Sequence, residues 1–312
     1  GSSAGSGAAI GARMIPAAIG SQVVGSLIRP AGYNANFAHR PTVGGLNRGE
    51  RLGYSHAIIG VHAGSLTDMW RLTIEISKRV GGDPGYPGIY GNDDPSPPIK
   101  PQTLIVAETE GWAQADEAAV EGLEKVLAQL KAAGVKILRR KDHALIERFE
   151  ESISESLKIA SAIVAWENTW NLENLVANIG DLLPSGVKRV LEAGRAMTLD
   201  QYRTTIIKRD EARARMATLA TIGDALITLT SPGPAPHLVA PPKPDNRVPY
   251  GTTGPAVFNV ATSVLGVPAV TIPLLSVQNM PVGVQIIGQQ NDDDKITGIA
   301  RWVYDIVKPV VV

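Results

Sequence analysis

The alternation of apolar runs with amphipathic segments predicts an α/β fold. One stretch carries the whole strand–helix–strand pattern of a βαβ unit. Clusters of Gly, Pro and Asp mark the breaks between segments.

Taken in order, residues 8–14 are small and apolar and predict a helix packed closely at its N-terminal end. Ser65-Leu66-Thr67-Asp68 is a capping box opening a helix over 66–79, which carries Met69, Trp70 and Ile76. Gly81-Gly82-Asp83-Pro84 stops it, and 83–101 is loop by composition. Residues 103–107 form a short apolar strand. Val120, Leu123, Leu127 and Leu130 then recur at helical spacing, Gly134 ends that helix, and Val135-Lys136-Ile137-Leu138 returns to strand. The crossover of such a unit is right-handed.

Residues 143–164 and 198–222 read as longer helices, the second capped by Thr198 or Asp200. A strand follows at 225–230, then a proline-dense loop over 231–255. A connection of that length borders a site or is mobile. Gly254-Pro255 starts another helix, strands follow at 267–273 and 281–287, and an amphipathic helix near 292–306 closes the pattern. No internal repeat or heptad array is present.

The 312 residues can bury a large core, as one sizeable domain or two small ones. Thirty basic and thirty acidic residues balance, so no electrostatic footprint points to nucleic acid or an anionic membrane. There is no cysteine, which removes disulfides and thiolate metal sites and fits a reducing compartment. No apolar run approaches the roughly 20 residues of a membrane span. The first residues lack the basic and apolar regions of a signal peptide. A Gly/Ser/Ala loop is an unusual start for a natural chain, so the sequence reads as part of a longer polypeptide.

Two serine loops carry the chemistry. The first reads Gly1-Ser2-Ser3-Ala4-Gly5-Ser6-Gly7, the second Gly20-Ser21-Gln22-Val23-Val24-Gly25-Ser26-Leu27-Ile28-Arg29-Pro30-Ala31. Ser2 and Ser26 are separated by 24 positions. Their spacing, with the run Pro281-Val282-Gly283-Val284-Gln285-Ile286-Ile287-Gly288, resembles the amidase signature family, and the similarity extends over most of the chain. The stretch Phe37-Ala38-His39-Arg40-Pro41-Thr42 matches that family's Lys-Pro-Thr region with Arg40 in the lysine place. Ser65-Leu66-Thr67-Asp68 falls where members carry an Arg-Ser-x-x-Asp segment. Residues 100–230 match only in the order of their elements.

The resemblance implies one catalytic domain over 1–312, a large mixed, twisted sheet covered by helices on both sides. It implies hydrolysis of a small-molecule amide through a Ser–cis-Ser–Lys triad and an acyl-enzyme, with no metal or organic cofactor. Ser26 takes the nucleophile place and Ser2 the bridging place, after a cis Gly1–Ser2 bond. The backbone N–H groups of Val23, Val24, Gly25 and Ser26 take the oxyanion-hole place. Val23-Val24 stands where members carry Thr-Gly, and a β-branched residue disfavours positive φ. The family's lysine precedes the first serine loop, whereas the first lysine here is Lys78. A preceding segment or a separate chain is therefore expected to supply it. The same resemblance admits the glutaminase subunit of a tRNA-dependent amidotransferase, or an inactive member of the fold. It implies a cytoplasmic protein with no nucleic-acid or membrane partner, and leaves a homodimer open.

Other readings compete at single residues. Gly5-x-Gly7-x-x-x-Gly11 is one residue too long for a dinucleotide fingerprint. His56 and His62, six apart, suit no helical metal pair; with His39 they are second-layer residues or alternative bases for Ser26. Trp166 and Trp170 are core anchors or substrate walls. Arg29 is a structural anchor or a ligand for a substrate carboxylate.

Overall fold

Short strands whose side chains alternate between two apolar layers build a nine-stranded mixed sheet in the computed structural model, which describes residues 2–49, 55–237 and 253–312. The strands are β1 (Ala17–Gln22), β2 (Phe37–Arg40), β3 (Ile58–Ala63), β4 (Thr103–Val106), β5 (Lys136–Leu138), β6 (Ala225–Leu229), β7 (Ala269–Val277), β8 (Met280–Ile287) and β9 (Val310–Val311). Their order is β1-β3-β2-β7-β8-β6-β4-β5, with β9 beside β7. Neighbours from β1 through β6 pair antiparallel, whereas β6–β4, β4–β5 and β7–β9 are parallel. The β7–β8 register shifts between Ile272 and Leu275, around Pro273, which has no N–H to give a ladder.

Ten helices flank the sheet among the described residues: α1 (Ala4–Gly11), α2 (Ile28–Tyr33), α3 (Leu66–Val80), α4 (Glu117–Ala132), α5 (Ala144–Ile153), α6 (Ser156–Ile179), α7 (Ser185–Ala196), α8 (Leu199–Thr218), α9 (Val260–Leu265) and α10 (Asp293–Ile306). On one face α3, α4 and α10 bring Met69, Leu123, Leu127, Ile299 and Val303 against Leu104, Ile227, Val284 and Ile286. On the other, α2, α5, α8 and α9 bring Ile28, Phe149, Met216 and Leu265 against Ile105, Leu226 and Ile287. Consecutive residues such as Leu104 and Ile105 thus enter opposite layers. Helices α6 and α7 form an outer layer, with Ile159 and Ile163 of α6 on Val260 and Val264 of α9. No helix among the described residues is long and apolar enough to cross a membrane.

The βαβ unit is present as β4–α4–β5, with Gly134 at φ +83° just beyond the helix. Ser65 caps α3 by accepting from the Asp68 N–H, and Thr198 caps α8 in a reciprocal box with Gln201. Four expectations need correction. The helix expected over 8–14 runs from Ala4 to Gly11, so the first serine loop turns helical at Ala4. The helix over 143–164 is two helices, broken where the Ser154 and Ser156 hydroxyls bond back to the Glu151 and Ile153 carbonyls. The helix expected at 254–255 begins only at Val260, after a turn closed by bonds from Asn259 and Val260 N–H to the Ala256 carbonyl. The run expected to be loop from Gly20 is strand β1 as far as Gln22. Most of the proline-dense 231–255 segment lies outside the described residues.

Candidate active site

Strand β1 delivers Gln22 into the interior, and the chain then turns through Val23, Val24, Gly25 and Ser26 into α2. The Gln22 side chain is fully buried and organises that turn. Its Oε1 accepts from the N–H groups of Leu27 and Ile28, both at 3.1 Å. Its Nε2 donates to Ser263 Oγ at 3.2 Å, and Ser263 Oγ in turn donates to the Val24 carbonyl at 3.2 Å. A buried amide that meets partners at both ends holds one orientation. Neither Val23 nor Val24 adopts positive φ, so the β-branched pair fits this turn without backbone strain. Among the described hydrogen bonds, none uses the N–H groups of Val24, Gly25 or Ser26.

Gly25 is required by a close approach: a Cβ there would lie 2.8 Å from Ala256 Cβ and 2.9 Å from Asn259 Oδ1. Asn259 is anchored by donating to the Thr230 carbonyl at 3.1 Å. Behind the turn, α2 presses on β8 at a second glycine contact. A Cβ on Gly283 would fall 2.9 Å from Gly32 Cα. Gln285, one residue beyond Val284, donates to the Leu229 and Phe258 carbonyls at 2.8 Å each. The Gly283-x-Gln285 part of the C-terminal run is therefore a packing and carbonyl-capping device for the loops beside Ser26.

The first serine loop closes on the second. Ser2 Oγ lies 3.3 Å from Ser26 Oγ, both residues half-buried. Ser2 and Ser3 occupy the left-handed region at φ 54° and 45°, a conformation L-residues other than Asn and Asp seldom adopt. Ser3 Oγ accepts from Ser21 N at 3.0 Å and donates to the Ser21 carbonyl at 3.2 Å, while Ser6 donates to the Ile19 carbonyl at 2.9 Å. These bonds tie the loop to β1. The bond between Gly1 and Ser2 lies outside the described residues.

Arg29 completes the cluster. Its guanidinium is almost fully buried and donates to Ser2 Oγ at 3.1 Å and to Thr253 Oγ1 at 3.2 Å. Tyr33, one turn further on α2, faces the Ser231 side chain. Burial pushes its phenol pKa up, against the opposing effects of Arg29 and Ser231. No motif signal in the sequence marks Tyr33 for a place in this cluster.

The histidines do not hydrogen-bond Ser26 among the described residues. His39 Nε2 pairs with Asp293 Oδ1 at 3.0 Å, and Asp293 also accepts from Thr42 N–H and hydroxyl. Burial alone would raise the Asp293 carboxyl pKa; the bonds from His39 and Thr42 hold it below the usual range. His56 and His62 are buried with no hydrogen-bond partner among the described residues. Burial lowers His56 to about 3, helped by Arg40, Arg213, Arg209 and Arg48, and lowers His62 to about 4. Arg40 is fully buried and donates to the Val267 and Pro41 carbonyls. Lys78 lies on the exposed side of α3, paired with Asp93. Trp166 stacks on Tyr202 with centroids 5.2 Å apart, and Trp170 is 73% exposed, so the second tryptophan is no core anchor. No group of three or more His, Asp or Glu among the described residues could hold a metal ion.

The family model described as Amidase matches residues 1–297. The A subunit of glutamyl-tRNA(Gln) amidotransferase from Neisseria gonorrhoeae is 26% identical over 334 residues, covering 97% of this chain and 66% of that protein. The chain thus spans just under two-thirds of the length of that curated relative. The structure of 6-aminohexanoate cyclic dimer hydrolase superposes with a TM-score of 0.78 at 21% identity, over 99% of this chain and 69% of the hydrolase. The A subunit of glutamyl-tRNA(Gln) amidotransferase from Thermotoga maritima gives 0.72 at 23% identity, over 97% and 65%.

Proposed function

The chain belongs to the amidase signature family, and from that premise we propose that it hydrolyses the carbon–nitrogen bond of a small-molecule amide through an acyl-enzyme on Ser26. The observation that carries the reading is the 3.3 Å approach of Ser2 Oγ to Ser26 Oγ. A serine hydroxyl attacks a carbonyl only as its proton leaves. Here Ser26 Oγ bonds to the carbonyl carbon while its proton passes to Ser2 Oγ, and Ser2 releases its own proton to a base. Arg29 cannot be that base, because a guanidinium offers donors only. Its bond to Ser2 Oγ occupies one lone pair and restricts where the Ser2 proton points. A neutral lysine amine is the base the family resemblance implies.

The N–H groups of Val23, Val24, Gly25 and Ser26 are proposed to receive the oxyanion. Collapse of the tetrahedral intermediate breaks the C–N bond, and Ser2 returns a proton to the leaving amine. Water then adds to the Ser26 ester by the same route, releasing the acid and restoring the hydroxyl. Mass spectrometry of the full-length protein treated with a fluorophosphonate is expected to place the phosphonyl group on Ser26. Labelling that survives Ser26→Ala would overturn the assignment.

A second reading has support in the name of the curated relatives: a component that releases ammonia from an amide for a tRNA-dependent amidotransferase. Ammonia release from simple amides by the isolated full-length protein favours the hydrolase; release only in the presence of partner subunits favours the amidotransferase. Labelling and ammonia release both absent under every condition would leave the inactive member of the fold.

A further inference from the structure

We propose that Glu150 is a positioning residue for Ser26, acting through the Glu108–Thr109 turn and the segment 256–259 that backs the nucleophile loop. This rests on the reading of Ser26 as the nucleophile.

Glu150 projects from α5 and is 3% exposed. Its Oε1 accepts from Glu108 N–H at 2.8 Å and its Oε2 from Thr109 N–H at 3.0 Å. A carboxylate taken so far from water normally faces a cation. The cation nearest in influence, Arg140, is instead engaged with Glu147 at the surface. The buried carboxylate is spent on two backbone donors, and the residue it holds is under strain. Thr109 is β-branched and sits at φ 56°, where such residues are rare and persist only when neighbours enforce them.

From Thr109 the contacts run directly to the nucleophile loop. Thr109 Oγ1 donates to the Val257 carbonyl at 3.2 Å and accepts from Gly111 N–H at 3.1 Å. A Cβ on Gly111 would lie 2.5 Å from the Phe258 ring, and Trp112 meets that ring edge-on with centroids 6.0 Å apart. The turn is therefore seated on Val257 and Phe258. Their neighbours Ala256 and Asn259 are the groups against which Gly25 is packed. Moving that segment moves the backbone donors on either side of Gly25, and displacements of about 1 Å at a reacting centre cost on the order of a hundredfold in rate.

The clamp depends on charge. Both carboxylate oxygens accept N–H bonds, which only the ionised form can do fully; protonation turns one oxygen toward donation. The groups facing Glu150 are Glu108 on the turn and Arg140, itself bonded to Glu147 of α5; α8 packs on α5 through the apolar Ala212 and Met216. Burial pushes the Glu150 pKa up to about 7, its two backbone bonds oppose this, Glu108 adds to it and Arg140 opposes it.

The test compares the pH dependence of Ser26 phosphonylation in the full-length protein and in its Glu150→Gln variant, from about pH 5 to about pH 9. The expected result is a rise near neutral pH in the wild type that is absent from Glu150→Gln, with a rate about tenfold lower at the alkaline end. Hydrogen-exchange protection over 107–112, taken relative to the intrinsic exchange rate at each pH, should rise across the same range in the wild type only. Thr109→Val keeps the branched side chain but removes the bond to Val257. It should slow labelling several-fold without moving the wild-type midpoint, and it serves if Glu150→Gln fails to fold. An unchanged profile in Glu150→Gln, or wild-type rates in Thr109→Val, would overturn this inference alone. Absence of labelling in the wild type at every pH would overturn the nucleophile reading, and this inference with it.

Discussion

Residues 20–29 and the outer helices α6 and α7, with the solvent face of α8, are held in contrasting ways. Around the Ser26 loop, directional bonds are buried or half-buried: Gln22 to Leu27 and Ile28, Ser263 to Val24, Asn259 to Thr230, Arg29 to Ser2. The outer layer is laced instead by exposed pairs such as Lys158–Glu155, Lys208–Glu155, Arg195–Glu173 and Arg203–Asp200. It also leaves Trp170, Leu182 and Ile207 largely in water. Exposed ion pairs are worth about 0–1 kcal/mol each, whereas a buried donor stripped of its partner costs about 1–3 kcal/mol. The fold thus concentrates specific, breakable geometry at the serines and keeps a tolerant layer outside it.

The sharpest way to break this contrast is Gln22→Leu. The substitution preserves size and burial but strands the Leu27 and Ile28 N–H groups and removes the donor to Ser263 Oγ. Two buried backbone donors left without their acceptor together cost about 2–6 kcal/mol by the usual range for unsatisfied buried donors. Chemical denaturation should show that loss, and Ser26 phosphonylation should slow by about tenfold or more because the loop no longer holds one shape. A variant that folds and labels like the wild type would mean the loop is shaped by packing alone.

The next effect is smaller and depends on pH. The Glu150 carboxyl has its pKa raised from 4.5 to about 7 in the folded chain, chiefly by burial. The native state therefore holds this proton longer than the unfolded state, and stability falls as pH rises from about 4.5 to about 7, then levels. At roughly 1.4 kcal/mol per unit the loss approaches about 3 kcal/mol. Ionisation tightens the Thr109 turn at a cost in global stability, so positioning and stability pull in opposite directions at one residue. Subtracting the urea-denaturation free energy of Glu150→Gln from that of the wild type, pH by pH, isolates this contribution. A difference that stays flat across the window would show that Glu150 titrates in its ordinary range.

Much of the site's backbone framework is legible in the sequence because small residues leave a strong trace. The two serine loops, Gly25 and the Gly283-x-Gln285 run are all visible there, and Gly25, Gly32 and Gly283 prove to stand where a Cβ would collide. The β4–α4–β5 unit is readable because its apolar period is complete. Strands β1, β2 and β3 escape such a reading for the opposite reason. Their buried positions include Gln22, His39, Arg40 and His62, so no apolar alternation announces them. Glu150 leaves no trace because its partners are backbone N–H groups about 40 positions away, which no side-chain pattern encodes. The break between α5 and α6 is likewise hidden in serines that read equally well as exposed helix positions.

The smallest expected effect tests the tolerant side of the comparison. Trp166 and Trp170 lie one turn apart on α6 yet meet different surroundings. Trp166 stacks nearly parallel on Tyr202, whose hydroxyl donates to Glu167 Oε1 at 2.9 Å, and Glu167 Oε2 accepts from the Ser55 N–H. Trp166→Ala removes one ring of that stack, a pair worth about 0.5–1.5 kcal/mol beyond its area. Trp170 offers most of its ring to water, so Trp170→Ser is expected to change stability by no more than about 0.5 kcal/mol. Neither change should alter the rate of Ser26 labelling by more than about twofold, since α6 reaches the nucleophile loop through Ile159 and Ile163, near Val24, and not through these rings. Paired denaturation and labelling measurements on the two variants decide it. A cost above about 1 kcal/mol for Trp170→Ser, or slowed labelling in either variant, would show that the outer layer helps to shape the site and that the contrast is too sharp.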